Sequence, residues 1–595
     1  MKSVFKNPKL KAQQSRNAFD RGAKKVFHAP FGMLLPCFVA KVSPDDYIEI
    51  SPENQCICEP LARPAFMRLK EHIDYFFIPF SQLYTPFENL VTGQDNYFSD
   101  LIGDRQSYNV PNRVPMFNGT WLKNQLVNLK SLKDIHGFNK LYGALRLLDL
   151  LGYGNYYRDV SLIGGAQDYF IDSSHLPNMN LFNLLAYQKI YYDFYRNPKY
   201  EQNNSSAYNI DKLVSNTVLT ATSTDMPQIF DVHYRWMKRD YFMSVQPSIL
   251  PVSTNIGYSG ISDSYFADSV NFEVPGIIPR GSGALAGIDA QIISDSVKTP
   301  TNSASAQNTN LYANMNSVAA IRLNFAIDRI ARRQREAGAQ FDKQMLAQFG
   351  ITPIDERHGK CVFIGGQTNR LYASDVTNQS ETGESGLGSL GGQINVYSPS
   401  RRTFKYHAKE HGIVMGIYST SLENDYPSFL ISRDNTAQGR FDWSNPGFDK
   451  LGLQPIFRHE LSFISDQSID LGEEHPEPDS HDIASIDDQY RILGFVRRYM
   501  EYKTNIDQVH GLFASCLLSP EDSAWTTRFK MTEYDNQVQK QLAPLDRTCM
   551  QFNPMTFDDV SKVSYDGTWR TDHFKLNHFT HCRVISNMDV IGEDF

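Results

Sequence analysis

The sequence predicts an all-β core that carries long helical and polar loop insertions. Residues 73–78 are almost continuously apolar and aromatic, yet they are too few for a buried helix. Residues 412–419 are rich in β-branched side chains, and residues 27–50 contain an apolar run that leads into a turn. Because aromatic and β-branched side chains pack well on a pleated surface, we expect buried strands in all three segments.

The first strands are predicted to follow one another closely. The sequence SPDD at residues 43–46 is typical of a turn, and residues 47–50 continue as a second strand. Residues 73–78 form the next strand, which should end at Pro79 because proline has no N–H for a sheet ladder. A helix should then begin at Pro86, since proline is favoured at the first helical position.

A helical insertion is predicted at about residues 120–198. Apolar residues recur at helical spacing over residues 121–132, 138–151 and 181–197, and Pro198 stops the last of these segments. The insertion should therefore contain three helices.

A further helix is predicted over residues 321–349, where an apolar stripe recurs at helical spacing. The remaining face is crowded with arginines: Arg329, Arg332, Arg333 and Arg335. Guanidinium groups favour pairing with the acids of a neighbouring element or subunit over contact with DNA here. We take these four arginines as candidate subunit-interface residues.

Two other segments complete the organisation of the chain. Residues 200–316 are rich in Ser, Asn, Thr, Gly and Tyr and offer little to bury, which is typical of a polar surface insertion. Residues 584–590 form the last predicted strand.

Charge is distributed unevenly, although the net charge of the 595 residues is only -8. Residues 1–26 form a basic, flexible arm with one acid, Asp20, and eight cationic residues: Lys2, Lys6, Lys9, Lys11, Arg16, Arg21, Lys24 and Lys25. Flexible cations neutralise phosphates with little geometric demand, so these residues are candidate nucleic-acid contacts. The alternative is a solvated, disordered terminus. Residues 471–488 form an acidic loop that would repel a polyanion.

Composition limits the class of protein. Aromatic residues make up 12% of the chain, which suits broad contact surfaces. No run of about 18 apolar residues and no signal peptide is present, so we expect no membrane insertion and no export by the general route. The seven cysteines are scattered and odd in number, which indicates reduced thiols.

Candidate sites of chemistry are weak. His407, Glu410 and His411 match the H-x-x-E-H zinc motif, but they precede a strand and lie on no helical stripe. Cys56 and Cys58 lack a second pair at zinc-finger distance. A short C-terminal cluster leaves adventitious metal binding open, against hydrogen-bonded histidines: His573, His578, His581 and Cys582. We therefore predict no catalytic residue, no metal site, no cofactor and no enzyme.

Several segments match one known family in order. The strand IDYFFIP at residues 73–79 runs into a helical turn, and a basic helix leads through FGIT at residues 349–352 to an apolar strand that ends in Gly365 and Gly366. Two later matches are the Glu410-His411-Gly412 step and a segment with Gly494, Phe495, Tyr499, Glu501 and Tyr502. The chain resembles the major capsid proteins of the Microviridae, small single-stranded DNA phages of gokushovirus-like type.

The resemblance implies a fold and a function. The fold would be a single eight-stranded antiparallel jelly roll over residues 27–595. About sixty copies would form a T=1 icosahedral shell around a circular single-stranded DNA genome. The protein would be assembled in the bacterial cytoplasm and reside in the virion, and the insertion at residues 200–316 would meet the host surface. Minor capsid, pilot or scaffolding proteins are the other expected partners.

Two alternatives remain open from the residues alone. The first is a nucleic-acid-binding protein of low oligomeric order that uses the basic arm. The second is a secreted or surface-acting hydrolase, which would depend on Glu410 or His411.

Overall fold

The computed structural model describes most of the predicted strands and helices. The described residues are 16–92, 113–157, 175–211, 218–247, 329–330, 333, 341–351, 359–377, 390–427, 432–440, 442–449, 453–461, 492–514, 519–527, 529, 545 and 547–588.

Strands dominate the described part of the chain, which confirms the predicted all-β core. Their bounds are β1 Asn17–Asp20, β2 Ala23–Ala29, β3 Leu35–Val42, β4 Tyr47–Cys58, β5 Leu69–Pro79, β6 Met116–Phe117, β7 Met179–Asn180, β8 Val218–Leu219, β9 Val362–Leu371, β10 Ser374–Thr377, β11 Leu390–Gln393, β12 Asn395–Ser398, β13 Phe404–His407, β14 Gly412–Leu422, β15 Tyr426–Pro427, β16 Leu453–Phe457, β17 Ile492–Arg497, β18 Gln508–Val509 and β19 Phe574–Ser586.

The α-helices are mostly short. Their bounds are α1 Phe80–Leu83, α2 Phe87–Thr92, α3 Gly119–Leu129, α4 Lys140–Leu151, α5 Phe182–Ile190, α6 Phe341–Phe349, α7 Arg433–Thr436, α8 Pro520–Ser523 and α9 Arg547–Met550. A π-helical turn, Tyr191–Tyr195, extends α5. Single 3-10 turns occur at Ser205–Ala207, Pro227–Phe230, Arg458–Glu460, Met500–Tyr502, Gly511–Ala514, Pro554–Phe557 and Trp569–Thr571.

The first of two large antiparallel sheets has one face open to solvent. β19 lies between β4 on one side and the consecutive strands β1 and β2 on the other, and β12 and β13 continue the sheet beyond β4. Burial alternates along β19 and β4, as expected where one face is packed and the other solvated. We call this the open sheet.

The second large sheet, the covered sheet, has the order β3-β14-β5-β9. β5 and β14 occupy its centre and pair along their full length, from Leu69 opposite Leu422 to Pro79 opposite Gly412. Nearly every residue of β14 is buried, as are both faces of β5 in its second half. The buried strands predicted at residues 73–78 and 412–419 are therefore confirmed, and β5 ends at Pro79 as predicted.

The two sheets pack face to face around one apolar core, whose members include Phe38, Ile50, Tyr75, Val414, Tyr418, Leu576 and Val584. Polar groups also cross the interface. The Tyr75 hydroxyl lies 3.0 Å from Oγ1 of Thr580 on the open sheet. The carboxyl of Glu71 accepts hydrogen bonds from Asn54 at 2.6 Å and from Asn369 at 2.8 Å, which joins both sheets through a buried group.

Within the two sheets, the paired strands are nested along the chain. The first strands, β1 and β2, pair with the last, β19, and β3 pairs with β14. β4 then pairs with β12 and β13, and β5 pairs with β9. Each successive pair therefore lies inside the previous one in sequence.

A helical layer covers the other face of the covered sheet. The side chains of Phe76, Ile78 and Met415 pack against apolar residues of the helices α3, α4 and α5, including Leu126, Leu145, Leu148, Leu184 and Leu185. Asn118 and Asn139 begin α3 and α4 by accepting hydrogen bonds from backbone N–H groups. The structure thus has a helix within each of the three segments of the predicted insertion.

The N-terminal segment differs from the flexible arm expected over residues 1–26. From Asn17 onward it forms β1 and β2, which pair with β19. Alternation places Phe27 and Ala29 in the core, and their burial holds the polar residues before them in the ladder. Residues 1–15 lie outside the described residues, so the arm remains a prediction there.

The first part of the polar surface insertion expected at residues 200–316 is packed into the fold. Residues 200–211 and 218–247 are described, and within them Tyr208, Ile210 and Phe230 are buried against the helical layer. The apolar residues are sparse among Ser and Asn, which hid their role in the sequence. Residues 248–316 lie outside the described residues.

The last strand also differs from the prediction of residues 584–590. β19 begins ten residues earlier and ends at Ser586. Its inward positions include His578 and Thr580, which are fully buried and lie 2.9 Å apart as hydrogen-bond partners. These polar residues at core positions concealed the strand alternation in the sequence.

A buried ion pair links the helical layer to the start of β19. Two atom pairs join the Arg146 guanidinium of α4 to the Asp572 carboxyl, each at 2.7 Å, and both residues are almost fully buried. Losing one partner would leave the other as an uncompensated buried charge.

We expect Arg146→Met to lower the free energy of unfolding by about 3–5 kcal/mol. Urea unfolding of the full-length chain, followed by tryptophan fluorescence, measures the change. The double variant Arg146→Met/Asp572→Leu should recover most of the loss, because it removes both charges. A single variant as stable as the wild type would contradict the role of this pair.

A second charge cluster lies at the edge of the covered sheet. Glu423, which follows β14, contacts Lys70 and Arg68 at 2.7 Å and Lys238 at 3.3 Å. Its hydrogen bond from Lys70 and the neighbouring Arg68 charge lower the pKa of the Glu423 carboxyl to about 2. The ionised form therefore stabilises the native state above about pH 4.5, and this stabilisation is lost as pH falls toward 2.

We expect the wild type to lose about 1 kcal/mol more unfolding free energy than Glu423→Gln between pH 5.5 and pH 3. Urea unfolding at several pH values measures this difference. Glu521→Gln is the matched control, since Glu521 is 83% exposed and paired with Arg63 alone among the described residues. If both variants follow the same pH profile, the cluster does not stabilise the fold as inferred.

Candidate functional site

The structure places the predicted basic residues in different surroundings. Arg16 pairs with Asp45, and Arg21 donates to the backbone carbonyl of Lys41. The ammonium group of Lys25 donates to the carbonyl of Leu150 at 2.6 Å, and burial lowers the pKa of Lys25. Lys25 therefore serves the contact between β2 and α4, while Lys24 is exposed. The lysines at positions 2, 6, 9 and 11 lie outside the described residues.

The solvent face of the open sheet carries further cations that the sequence did not reveal. Lys575 and Arg583 of β19 are exposed there, on the same face as His28 of β2 and as Lys24, which the sequence had already indicated. The signal for Lys575 and Arg583 is the two-residue alternation of inward and outward side chains along β19. This alternation can be recognised only once the extent of the strand is known.

Carboxylates balance much of this open face. Lys575 pairs with Glu59 at 2.6 Å and Lys405 pairs with Glu49 at 2.8 Å. His581 lies 3.0 Å from Glu53. Contact with Lys405 lowers the pKa of the Glu49 carboxyl, so this carboxylate remains ionised at neutral pH. The face offers a polar, mixed-charge surface with aromatic groups such as Tyr397, which is 59% exposed.

An exposed aromatic cluster lies beside the loop between β4 and β5. The Phe66 ring, 66% exposed, stacks on Trp525 at 4.8 Å between centroids. Phe513 approaches the same ring at 6.5 Å, and its neighbour Leu512 is 52% exposed. Large exposed aromatic side chains of this kind are enriched at the centres of protein interfaces.

The candidate interface arginines are only partly described. Arg329 and Arg333 are helical and exposed. Arg332 and Arg335 lie outside the described residues.

The residues of the zinc motif are not brought to a common point. His407 lies 2.7 Å from Asp45 and stacks on Tyr47, while Glu410 accepts a hydrogen bond from Ser81 at 3.0 Å. His411 forms an edge contact with Phe87. Each of the three residues therefore contacts a partner on a different element. These are local contacts beside the end of a strand.

The C-terminal histidines likewise do not meet, because their side chains lie on different sides of β19 or before its start. His573 is buried and lies 3.0 Å from Asp558, and His578 faces the core. Burial lowers the pKa of His578 to about 3. His581 lies on the opposite, open face of the strand. Across the part of the chain that the structure describes, no three His, Cys, Asp or Glu side chains are placed to hold a metal ion.

The described cysteines are thiols, and most of them are buried. Cys56 and Cys58 are two residues apart on β4, so both face the core. Burial raises the pKa of both thiols and of Cys37, the last to about 12. These cysteines act as small apolar core residues.

Among the described helices, none has the length and apolar character needed to cross a membrane.

Comparison with known proteins gives one consistent result. A family model described as "Capsid protein (F protein)" matches residues 9–167 and 164–525. The capsid protein VP1 of Chlamydia phage 1 is 24% identical over 538 residues, which cover 85% of this chain and 86% of that protein. The capsid protein VP1 of Spiroplasma virus 4 is 22% identical over 328 residues, covering 50% of this chain and 58% of that protein.

The family match spans most of the chain and every strand of the covered sheet, and it agrees with the ordered motifs found in the sequence. The family predicted from those motifs is therefore confirmed: this chain belongs to the capsid protein (F protein) family and is a major capsid protein of the Microviridae type.

Proposed function

We propose that this protein assembles into a T=1 icosahedral shell of about sixty copies around a circular single-stranded DNA genome. The observation that carries the proposal is the family match over residues 9–167 and 164–525. In closed symmetric shells each interface recurs, so modest contacts are multiplied over the whole particle.

The proposed fold of the subunit is an eight-stranded jelly roll. The nested pairing supports it: β1 with β2 opposite β19, β3 opposite β14, β4 opposite β12 with β13, and β5 opposite β9. Counting β1 with β2 and β12 with β13 as one position each gives eight positions in two facing sheets, the number that a jelly roll requires.

Subunit contacts are proposed to use the exposed aromatic cluster around Phe66 and Trp525, together with Arg329, Arg332, Arg333 and Arg335. Exposed aromatic side chains lose contact with water on association, and arginines pair with carboxylates of a neighbouring copy. The exposure of Phe66, Arg329 and Arg333 supports this assignment.

The basic N-terminal segment is proposed to contact the genome. Lys2, Lys6, Lys9 and Lys11 are the residues we expect to neutralise phosphates, whereas Lys25 is engaged with α4. Arg16, Arg21 and Lys24 would add to the positive potential at the edge of the open sheet.

The remaining roles follow from the same proposal. Part of the polar insertion, over residues 248–316, would project from the shell and contact the bacterial surface. The protein would act without catalysis, assemble in the host cytoplasm and reside in the virion. Minor capsid, pilot or scaffolding proteins are the proposed partners besides the genome.

We expect the purified full-length chain to form uniform particles of about 4 MDa, since about sixty copies of 67.8 kDa give that mass. Light scattering with negative-stain electron microscopy measures mass and shape. If the chain forms no particles alone or with the phage's other structural proteins, the shell proposal is wrong and a DNA-binding protein of low oligomeric order becomes the better reading.

We expect replacement of Lys2, Lys6, Lys9 and Lys11 by Gln to weaken single-stranded DNA binding and to reduce its salt dependence. Each lost phosphate contact should lower the slope of log affinity against log salt by about 0.7. Fluorescence anisotropy with a labelled oligonucleotide at several salt concentrations measures the slope. A charge-matched control replaces exposed lysines elsewhere: Lys130, Lys133, Lys409 and Lys562. Equal slopes for the two variants would refute an N-terminal DNA contact.

A further inference from the structure

A cavity of about 260 Å³ lies outside the surfaces considered so far. It is bounded by the segment that follows α5, by residues 236–243 and by the start of β9. Four cationic residues line it: Arg196, Arg239, Lys343 and Lys360. Among the described wall residues, Asp193 supplies the one carboxylate.

The two arginines of this cavity have no carboxylate partner in the part of its wall that the structure describes. The Asp193 carboxylate is already engaged, because it lies 3.2 Å from the Lys189 ammonium group and accepts a hydrogen bond from the Cys361 N–H at 2.9 Å. No carboxylate of a described residue lies within ion-pair distance of Arg196 or Arg239. Uncompensated guanidinium groups at a concave site favour an anionic ligand.

Arg196 is also held in place. Its Nη1 donates to the carbonyl of Glu201 at 2.7 Å and its Nε donates to the carbonyl of Tyr192 at 3.3 Å. Carbonyl partners orient the guanidinium without cancelling its charge. The remaining N–H groups are therefore preorganised for an oxyanion such as phosphate.

Aromatic rings form part of the same wall. Trp236, Tyr195 and Phe194 line the cavity, and the Lys360 ammonium group lies 4.8 Å above the Phe194 ring. The Tyr195 hydroxyl donates to Asp74 at 2.8 Å, which fixes that ring. Unpaired bases stack on aromatic side chains while their phosphates contact neighbouring cations.

We propose that this cavity binds one nucleotide of single-stranded DNA, with the phosphate at Arg196 and Arg239 and the base against Trp236 and Tyr195. The volume of about 260 Å³ lies just under the range of about 300–1,000 Å³ typical of ligand pockets, so the cavity has room for no more than one nucleotide. A duplex would keep its bases stacked and paired, and an acidic peptide would leave the aromatic wall unused. The inference rests on the proposed genome-binding function and assigns it a defined site.

The first test compares two charge-matched double variants of the full-length chain before assembly. Arg196→Gln/Arg239→Gln removes the cavity arginines. Arg370→Gln/Arg402→Gln removes two exposed arginines that also lack a carboxylate partner among the described residues. By anisotropy with labelled (dT)12, we expect about tenfold weaker binding for the cavity variant and about twofold for the control. Equal losses would overturn the proposal.

The second test uses the unaltered protein, so misfolding of a variant cannot obscure the result. An oligonucleotide carrying 5-iodouracil is photocrosslinked to the wild type, and the linked peptide is identified by mass spectrometry. Crosslinks at Trp236 or Tyr195 are expected. Crosslinks confined to other segments would overturn the assignment.

A third test measures which compounds compete with the labelled oligonucleotide, and it separates a strand of DNA from other anionic ligands. Single-stranded (dT)12 should compete fully with the probe. At equal monomer concentration dTMP should compete only in part, because it offers the same phosphate and base without the neighbouring nucleotides, and poly-glutamate should not compete. Full competition by poly-glutamate would indicate a general anion site, and competition by dTMP equal to that by (dT)12 would indicate a site for free nucleotides; either result overturns the proposal. Electron microscopy of the same wild-type preparation tests the shell separately, so normal particles without cavity crosslinks would refute only the nucleotide site.

Discussion

The long antiparallel pairing of β5 with β14 is the constraint on which the rest of the structure depends. Eleven residues of each strand pair without interruption, from Leu69–Pro79 to Gly412–Leu422. Both faces of this ribbon are apolar at residues 75–79 and 412–418, where each buried large apolar side chain contributes roughly 1.5–3 kcal/mol. Water must therefore be excluded from both faces. The open sheet covers one face and the helical layer covers the other.

Buried polar groups determine how these layers are aligned. Glu71 joins Asn54 of the open sheet to Asn369 of the covered sheet, and burial raises the pKa of this carboxyl. The ion pair between Arg146 and Asp572 joins the helical layer to the segment immediately before β19. A shift of any layer would leave such a group without its partner, and an unsatisfied buried polar group costs more than its hydrogen bond contributes.

Surface charge separates the roles proposed for different parts of the molecule. On the open sheet Lys575 and Lys405 are matched by Glu59 and Glu49, so the face is close to neutral locally. In the cavity, Arg196 and Arg239 have no such carboxylate partner among the described residues. Balanced charges suit contact with another protein surface, whereas uncompensated cations beside aromatic rings suit an unpaired nucleotide.

The sequence by itself determined the strands at residues 73–78 and 412–419, the three helices of the insertion and the family. These features depend on local composition, periodicity and ordered motifs, which a single chain displays directly. Tertiary structure alone decided that residues 17–29 join β19, that polar His578 occupies a core position, and that Arg196, Arg239 and Lys360 share one cavity. Each of these depends on pairing between residues far apart in the chain, and local preferences carry no information about which distant segment will cover a given face.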